Sequence, residues 1–563
     1  MCGIFSILNN CLKEADIVRC FQQGSQRGPE ESSIKWFHEL KAVLGFHRLA
    51  INGLTTTAMQ PMQIDQCVLI CNGEIYNSAD LHKKMAVENG SGSDCEIIIH
   101  LYLKYGIEQT LRMLDGVYSF VLLDIDKEEL FVARDLFGVR PLFCLYDNGH
   151  MQGFASEIKT LIGLKTTTAE IRPFPPGTYR SYIWNNNSWE ILCNHVFATT
   201  AVPFNKTIKT ALDAQQLIAE ALIISVKKRV YSTERPIACL LSGGLDSSLV
   251  TAIVHKFVPK NTLETYSIGL LGSEDLRYAR KVANFLGTKH TEIICTEQEF
   301  LTAIPEVIEA IESYDTTTVR ASVGNYLVSK YIKNHSQAKV IFNGDGADEV
   351  CGGYMYFHAA PDAIAFDKEC KRLLTDIHMF DVLRSDRSIS SNGLEPRTPF
   401  LDKSFVQTYL SIPPHLRCHN LKNNCEKYLL RKSFDNTMLL PKEILFRKKE
   451  AFSDGVSGLN RSWFEIIQEF IKKSIGIQRF INLPYKDLKF KTKDNLPKWN
   501  TPKTDEQKYY RKIFHNLYRT NSTSIPYFWM PKFIEASDSS ARTLKLYKKD
   551  NVTKKENRTK IAI

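Results

Sequence analysis

The 563-residue chain has no apolar run near the ~18–20 residues of a membrane-spanning helix, so no membrane partner is expected. Its 14 cysteines contain no C-x-x-C and follow no metal-ligand rhythm. The nearest pair, Cys67 and Cys71, lies in the apolar run CVLIC, which reads as a buried strand. There is no GK[ST] closing a glycine loop, which disfavours Walker-type γ-phosphoryl transfer. The opening MCGIFSILNNCL lacks the basic and long apolar regions of a secretory leader. Free thiols in a reduced cytoplasmic compartment are expected, and the NNS run from Asn186 is read as a polar turn. The net charge of +10 is unevenly placed: residues 541–563 hold eight Lys/Arg and two acids, leaving +4 for the rest. That tail is read as a solvated basic terminus, and a body this weakly basic does not point to nucleic acid.

What the chain does have divides into two textures. Up to about 185, short β-rich pieces alternate with turns: 67–71, 117–123, 129–133 and 142–146, with one helix predicted over 95–105. The segments WNNNSW (184–189) and TTAVPFNK (199–206) are polar and aperiodic, and read as linker. Beyond them, strands at 236–241, 263–268, 290–295 and 339–342 alternate with helices, which implies right-handed crossovers and a parallel sheet. Domains are expected over 2–190 and 206–540, with the tail at 541–563.

Two constellations carry chemistry. Cys2 follows the initiator Met, and a small second residue favours Met removal. The thiol would then stand beside its own α-amine, a base with a reference pKa of ~7.7–8. The plainer reading is an inert buried cysteine on a first strand. The second constellation is SGGLDSS (242–248), between a strand and a helix. Gly243 and Gly244 let backbone amides approach an anion, and the helix start adds positive dipole. Asp246 suits such a loop only if a cation bridges it.

The ordered set MCGI, RGPE (27–30), HRLAING (47–53), CNGEIYN (71–77), SGSDCE (91–96) and ARDLFGVRPL (133–142) resembles the class II glutamine amidotransferases, which are N-terminal-nucleophile hydrolases. The resemblance implies Cys2 as nucleophile and Asn72–Gly73 as oxyanion hole. Glutamine would bind to Arg48 and Asp94, with Leu49, Ala50, Ile51, Asn52 and Glu74 completing the pocket. Glu30 stands where that family usually has Asp. SGGLDSS resembles the pyrophosphate loop of ATP pyrophosphatases. Together with further motifs such as NGDGADE (343–349), FDVLRSDR (380–387), EKYLLRKSF (426–434) and RKKEAFSDG (447–455), the chain resembles the glutamine-hydrolysing asparagine synthetases.

The fold so implied is an α+β N-terminal-nucleophile hydrolase sandwich, layered αββα, followed by an α/β parallel-sheet ATP-pyrophosphatase domain with helical additions. The activity implied is ATP-dependent synthesis of L-asparagine from L-aspartate and L-glutamine. ATP would lie on Leu241, Ser242, Gly243, Gly244, Asp246, Ser247, Ile268, Asn343 and Gly344, with Mg2+ on Asp246 and Asp348. Lys449 would stabilise the intermediate and pyrophosphate. Asp381 and Arg384, three apart on a helix, would contact aspartate, and a surface salt bridge is the competing reading. The family loop reads SGEGSDE, so Asp345 replaces a glutamate that is a candidate base for attacking ammonia. Ammonia made at Cys2 would need an apolar channel to the second site. Another ATP-dependent amidotransferase ligase, or a weakly active regulator, is the alternative, and a homodimer is left open.

Overall fold

The computed structural model describes residues 1–147, 152–165, 169–419, 425–458, 461–478, 500–518 and 525–544. Most of the basic tail lies outside them.

The first half is built from antiparallel strands β1 (Gly3–Leu8), β2 (Glu31–Phe37), β3 (Ala42–Arg48), β4 (Met62–Ile64), β5 (Cys67–Ile75), β6 (Gly116–Asp124), β7 (Glu129–Arg134), β8 (Phe143–Tyr146), β9 (Gln152–Ala155), β10 (Glu170–Pro173), β11 (Thr178–Asn185) and β12 (Ser188–Val196). They form two sheets, ordered β10-β8-β9-β1-β3-β2 and β12-β11-β7-β6-β5-β4. Side chains alternate along each strand. On β5, Val68 and Ile70 face the other sheet and pack with Ile4, Leu44 and Phe46. Cys67, Leu69 and Cys71 face outward and pack under Ile97, Ile98 and Leu101. The outer layers are α1 (Glu14–Gln22) on one side and α2 (Ser78–Met85) with α3 (Ile97–Met113) on the other. This is the αββα sandwich that the resemblance implies. The helix predicted over 95–105 starts two residues later and continues to Met113 across a break at Gly106, where φ is +75°.

The segment 184–189 is not linker. It is the β11–β12 hairpin, whose turn residues Asn186 and Asn187 take φ of +49° and +64°. Asparagine tolerates that left-handed region, and paired positive φ suits the strand twist. β12 therefore carries the antiparallel unit past residue 190, to Val196.

In the second half, β13 (Ile237–Leu240), β14 (Glu264–Leu270), β15 (Lys289–Cys295), β16 (Val340–Phe342) and β17 (Glu395–Arg397) make a parallel sheet ordered β15-β14-β13-β16-β17. β17 was not foreseen, because EPR is too short and too charged to read as a strand. The order steps one way from β13 to β14 and the other way to β16. The crevice between β13 and β16, at their C-terminal ends, is thus the topological switch point where such sheets bind ligands.

The two halves meet across buried charge. The helix Asp381–Ser390 sends Asp386 to Arg27 at 2.7 Å, and sends Arg387 between Glu157 at 3.0 Å and Glu312 at 2.9 Å. Arg387 is fully buried, so replacing it strands two carboxylates in a low-dielectric seam. Arg387→Met is expected to lower stability by about 3–5 kcal/mol in denaturant unfolding, with part recovered by adding Glu312→Gln. A loss below ~1 kcal/mol, the range of exposed pairs, would show that the seam does not depend on this charge.

Candidate active sites

Cys2 precedes β1, beside the end of β3. Its thiol donates to the Leu49 carbonyl at 3.6 Å, and its own carbonyl accepts from Arg27 Nε at 3.0 Å. Met1 is buried, and burial pulls its α-amine down to about 6. Burial likewise pushes the Cys2 thiol up to about 11. At neutral pH this pairs a protonated thiol with an unprotonated amine, the state from which a proton transfer makes a thiolate.

Asn72 and Gly73 come from β5 in the facing sheet. Ser156 bridges the sheets: its hydroxyl accepts from Ile4 N at 3.1 Å and lies 3.5 Å from Asn72 Nδ2. Gly73 has no room for a side chain, since a Cβ there would lie 2.7 Å from that of Tyr118.

The loop 49–53 is held from the second half of the chain. Ala50 N donates to Glu30 at 2.7 Å, and Glu30 in turn pairs with Arg235 at 3.0 Å. Arg235 Nε also reaches the Ala50 carbonyl at 2.7 Å, and Glu234 accepts from Gly53 N at 2.7 Å. The extra methylene of Glu30 thus spans from the loop to Arg235. The Ile51 carbonyl accepts from Glu234 N at 3.1 Å, and Asn52 Nδ2 donates to Glu74 at 2.8 Å. Arg48 Nη2 donates to the carbonyls of Gly53 and Thr55, and its Nη1 lies 3.5 Å from Glu31. Asp94 accepts from Ile75 N at 2.6 Å, and burial pushes its carboxyl up to about 6. Burial also raises Glu74 well above the ordinary range, Glu395 adding to the rise and Arg397 opposing it. Arg397, which lies 3.2 Å from Glu74, was missed from sequence because it comes from β17.

The second cleft lies at the switch point. Leu241, Ser242, Ser247, Ile268, Asn343 and Gly344 all line it. Gly243 has φ of +71°, and a Cβ there would lie 2.4 Å from Ala279 N, so the turn admits only glycine. The helix Leu245–His255 begins at Gly244, its N-cap. Neighbouring parallel strands bring their following loops together: a Cβ on Gly344 would lie 2.7 Å from that of Asp246.

Asp246 and Asp348 share Lys427, whose Nζ is 2.5 Å from each. Lys449 reaches Asp348 at 2.6 Å and Asp246 at 3.8 Å. Burial alone would raise Asp348, but the two ammonium groups hold it well below the ordinary carboxylate range. Asp246 Oδ1 is buried without a hydrogen-bond partner, so this carboxylate pair retains capacity for a divalent cation. Lys427 was missed because nothing in EKYLLRKSF marks one lysine over another, and only the fold buries it at 1% exposure.

Arg384 bonds Asp381 closely and Asp345 at 2.8 Å. Arg384 is buried and all three line the cleft, so the surface salt-bridge reading does not hold. Asn343 accounts for part of the altered loop: its Oδ1 accepts from Asp345 N at 3.2 Å, and its Nδ2 donates to Ser385 at 2.8 Å. Glu349, whose carboxyl burial raises, accepts from Tyr354 at 2.5 Å in the same cleft.

Comparison with known proteins finds a family match for each half of the chain. The glutamine amidotransferase domain family matches residues 1–197, and the asparagine synthase family matches 217–365 and 359–524. The glutamine-hydrolysing asparagine synthetase of Gallus gallus is 41% identical over 574 residues, covering 97% of this chain and 99% of the relative. Those of Cricetulus griseus and Homo sapiens are 40% identical with the same coverage. The chain belongs to the glutamine-hydrolysing asparagine synthetase family.

Proposed function

We propose that the protein makes L-asparagine from L-aspartate, with ATP as activator and L-glutamine as amide donor. The reaction passes through β-aspartyl-AMP and yields AMP, pyrophosphate and L-glutamate. The observation that carries this reading is the carboxylate pair Asp246 and Asp348, set against a glycine anion loop at the switch point. This reading places the glutaminase in residues 2–196 and the synthetase from about 206 onward.

Removal of Met1 transfers the free amine to Cys2, where it takes the thiol proton. The thiolate attacks the glutamine carboxamide, and Asn72 Nδ2 with the Gly73 N–H receives the developing oxyanion. Asp94 holds the substrate ammonium, and the loop 49–52 with Arg48 and Glu74 closes on the carboxylate end. Ammonia leaves, and water cleaves the thioester. The apolar cluster that joins Leu49, Ile51 and Val117 to Phe342 and Leu401 supports an ammonia route through the seam.

In the second cleft, Leu241, Ile268, Asn343 and Gly344 border the nucleotide, and Ser242 to Ser247 take the pyrophosphate. Asp246 and Asp348 would hold Mg2+, which when bound neutralises the leaving pyrophosphate. Lys449 and Lys427 supply fixed positive charge beside it. Arg384 takes the aspartate carboxylate and Asp381 the ammonium. Asp345, oriented by Arg384, accepts a proton as the C–N bond forms.

Three outcomes test this reading. Cys2→Ala should cut glutamine-driven asparagine formation by more than about 1000-fold while ammonium-driven synthesis persists; equal loss from both donors would sink the nucleophile assignment. Because Asp94 is ionised only above about 6, kcat/KM for glutamine should fall as pH drops through that value, by about tenfold per unit. An acid limb in the ordinary carboxylate range near 4 would remove Asp94 from ammonium recognition. Lys427→Met should cost about 3–5 kcal/mol, because it strips a buried cation from two carboxylates, and Mg2+ with pyrophosphate should restore part of Tm. A variant as stable as the parent and insensitive to Mg2+ would show that the carboxylates are no metal site.

A further inference from the structure

Away from both clefts, three side chains of the amidotransferase half converge. His82 on α2, Glu96 in the turn Asp94–Glu96 and His100 on α3 bring ligand atoms within 4.8 Å of one another. Glu96 and His100 are one helical turn apart, with His100 Nε2 3.2 Å from Glu96 Oε1. His82 is 6% exposed. Its Nδ1 lies 2.9 Å from the Ser78 carbonyl, which can only accept, so Nδ1 carries the proton and Nε2 a lone pair. That Nε2 is buried and has no hydrogen-bond partner. Buried polar atoms are nearly always satisfied, so a bare lone pair on an imidazole that lies this close to a carboxylate and a second imidazole calls for a ligand. An imidazole tied through its far nitrogen to a carbonyl is also how metal-bound histidines are oriented.

We propose that His82, Glu96 and His100 form a Zn2+ site, with solvent as the fourth ligand on the partly exposed side of His100. Two imidazoles and a carboxylate suit zinc, whereas magnesium and calcium prefer all-oxygen sets. On coordination the neutral His100 ring carries its one proton on Nδ1, exchanged through solvent from Nε2, and Nε2 donates its lone pair to the metal. Zinc bonds of ~2.0–2.1 Å require the ligand atoms to draw in by about 1 Å, within reach of side-chain rotation. Glu96 already accepts from Gly90 N at 2.9 Å and Ser91 N at 2.7 Å. A metal here would join α2, the 90–96 turn and α3 into one unit behind Asp94. The site goes beyond the proposed reaction and does not depend on it.

The test uses the full chain, stripped with chelator and titrated with zinc sulfate against a competing chelator. One equivalent should bind, and His82→Ala and His100→Ala should each weaken it at least 100-fold. Zinc should raise Tm in the parent but not in either variant. Cobalt(II) loading should give four-coordinate visible bands without sulfur charge transfer, which separates this site from the cysteines. If His82→Ala does not fold, the less buried His100→Ala decides. No binding by the parent, parental affinity in a folded His100→Ala, or a thiolate-cobalt spectrum would each overturn the proposal.

Discussion

Charge that cannot be left unpaired in a dry seam holds this molecule in one arrangement. Arg27, Arg140, Arg387 and Arg397 are all fully buried. Arg27 and Arg140 reach from the first half to Asp386 and Glu395, while Arg387 and Arg397 reach back to Glu157 and Glu74. Removing any of these ions from water costs several kcal/mol, and only its partner offsets that cost. Hydrophobic contact along the seam would tolerate sliding. Interlocking ion pairs running in both directions do not, because a shifted register leaves charges bare.

One helix turns that constraint into a link between the two clefts. Asp381–Ser390 presents Asp381 and Arg384 to the loop after β16, and Asp386, Arg387 and Ser390 to the amidotransferase half. Arg27, gripped by Asp386, also holds the carbonyl of Cys2. A displacement at the synthetase loop therefore has a short covalent and ionic path to the nucleophile. The loop 49–53, tied to Glu234 and Arg235, makes a second such path.

The same burial tunes the chemistry. It lifts the Cys2 thiol to about 11 and Asp94 to about 6, and lowers the Met1 amine to about 6. In the other cleft, two lysines hold Asp348 far down. One side of the molecule thus keeps a neutral thiol and a neutral amine together, and the other keeps fixed charges ready for phosphate.

Local signals in the chain determined much of this. Short β-rich runs bounded by turn residues marked the sandwich strands, the shift to strand–helix alternation marked the parallel sheet, and SGGLDSS marked its ligand loop, because composition and turn chemistry are properties of neighbouring residues. The motifs around Cys2, Asn72 and Asp246 likewise sit in contiguous stretches. Tertiary structure alone decided what depends on residues distant in sequence. WNNNSW became a hairpin because β11 found β12, a pairing that outweighs a polar composition. Lys427 joined Asp246 and Asp348 from 181 and 79 positions away, counting 427 − 246 and 427 − 348. Arg384 became a buried partner of Asp345 instead of a surface ion pair, and Arg397 came to Glu74 on a strand too short to foresee. Burial and long-range charge pairing belong to the packed whole, so no window of sequence contains them.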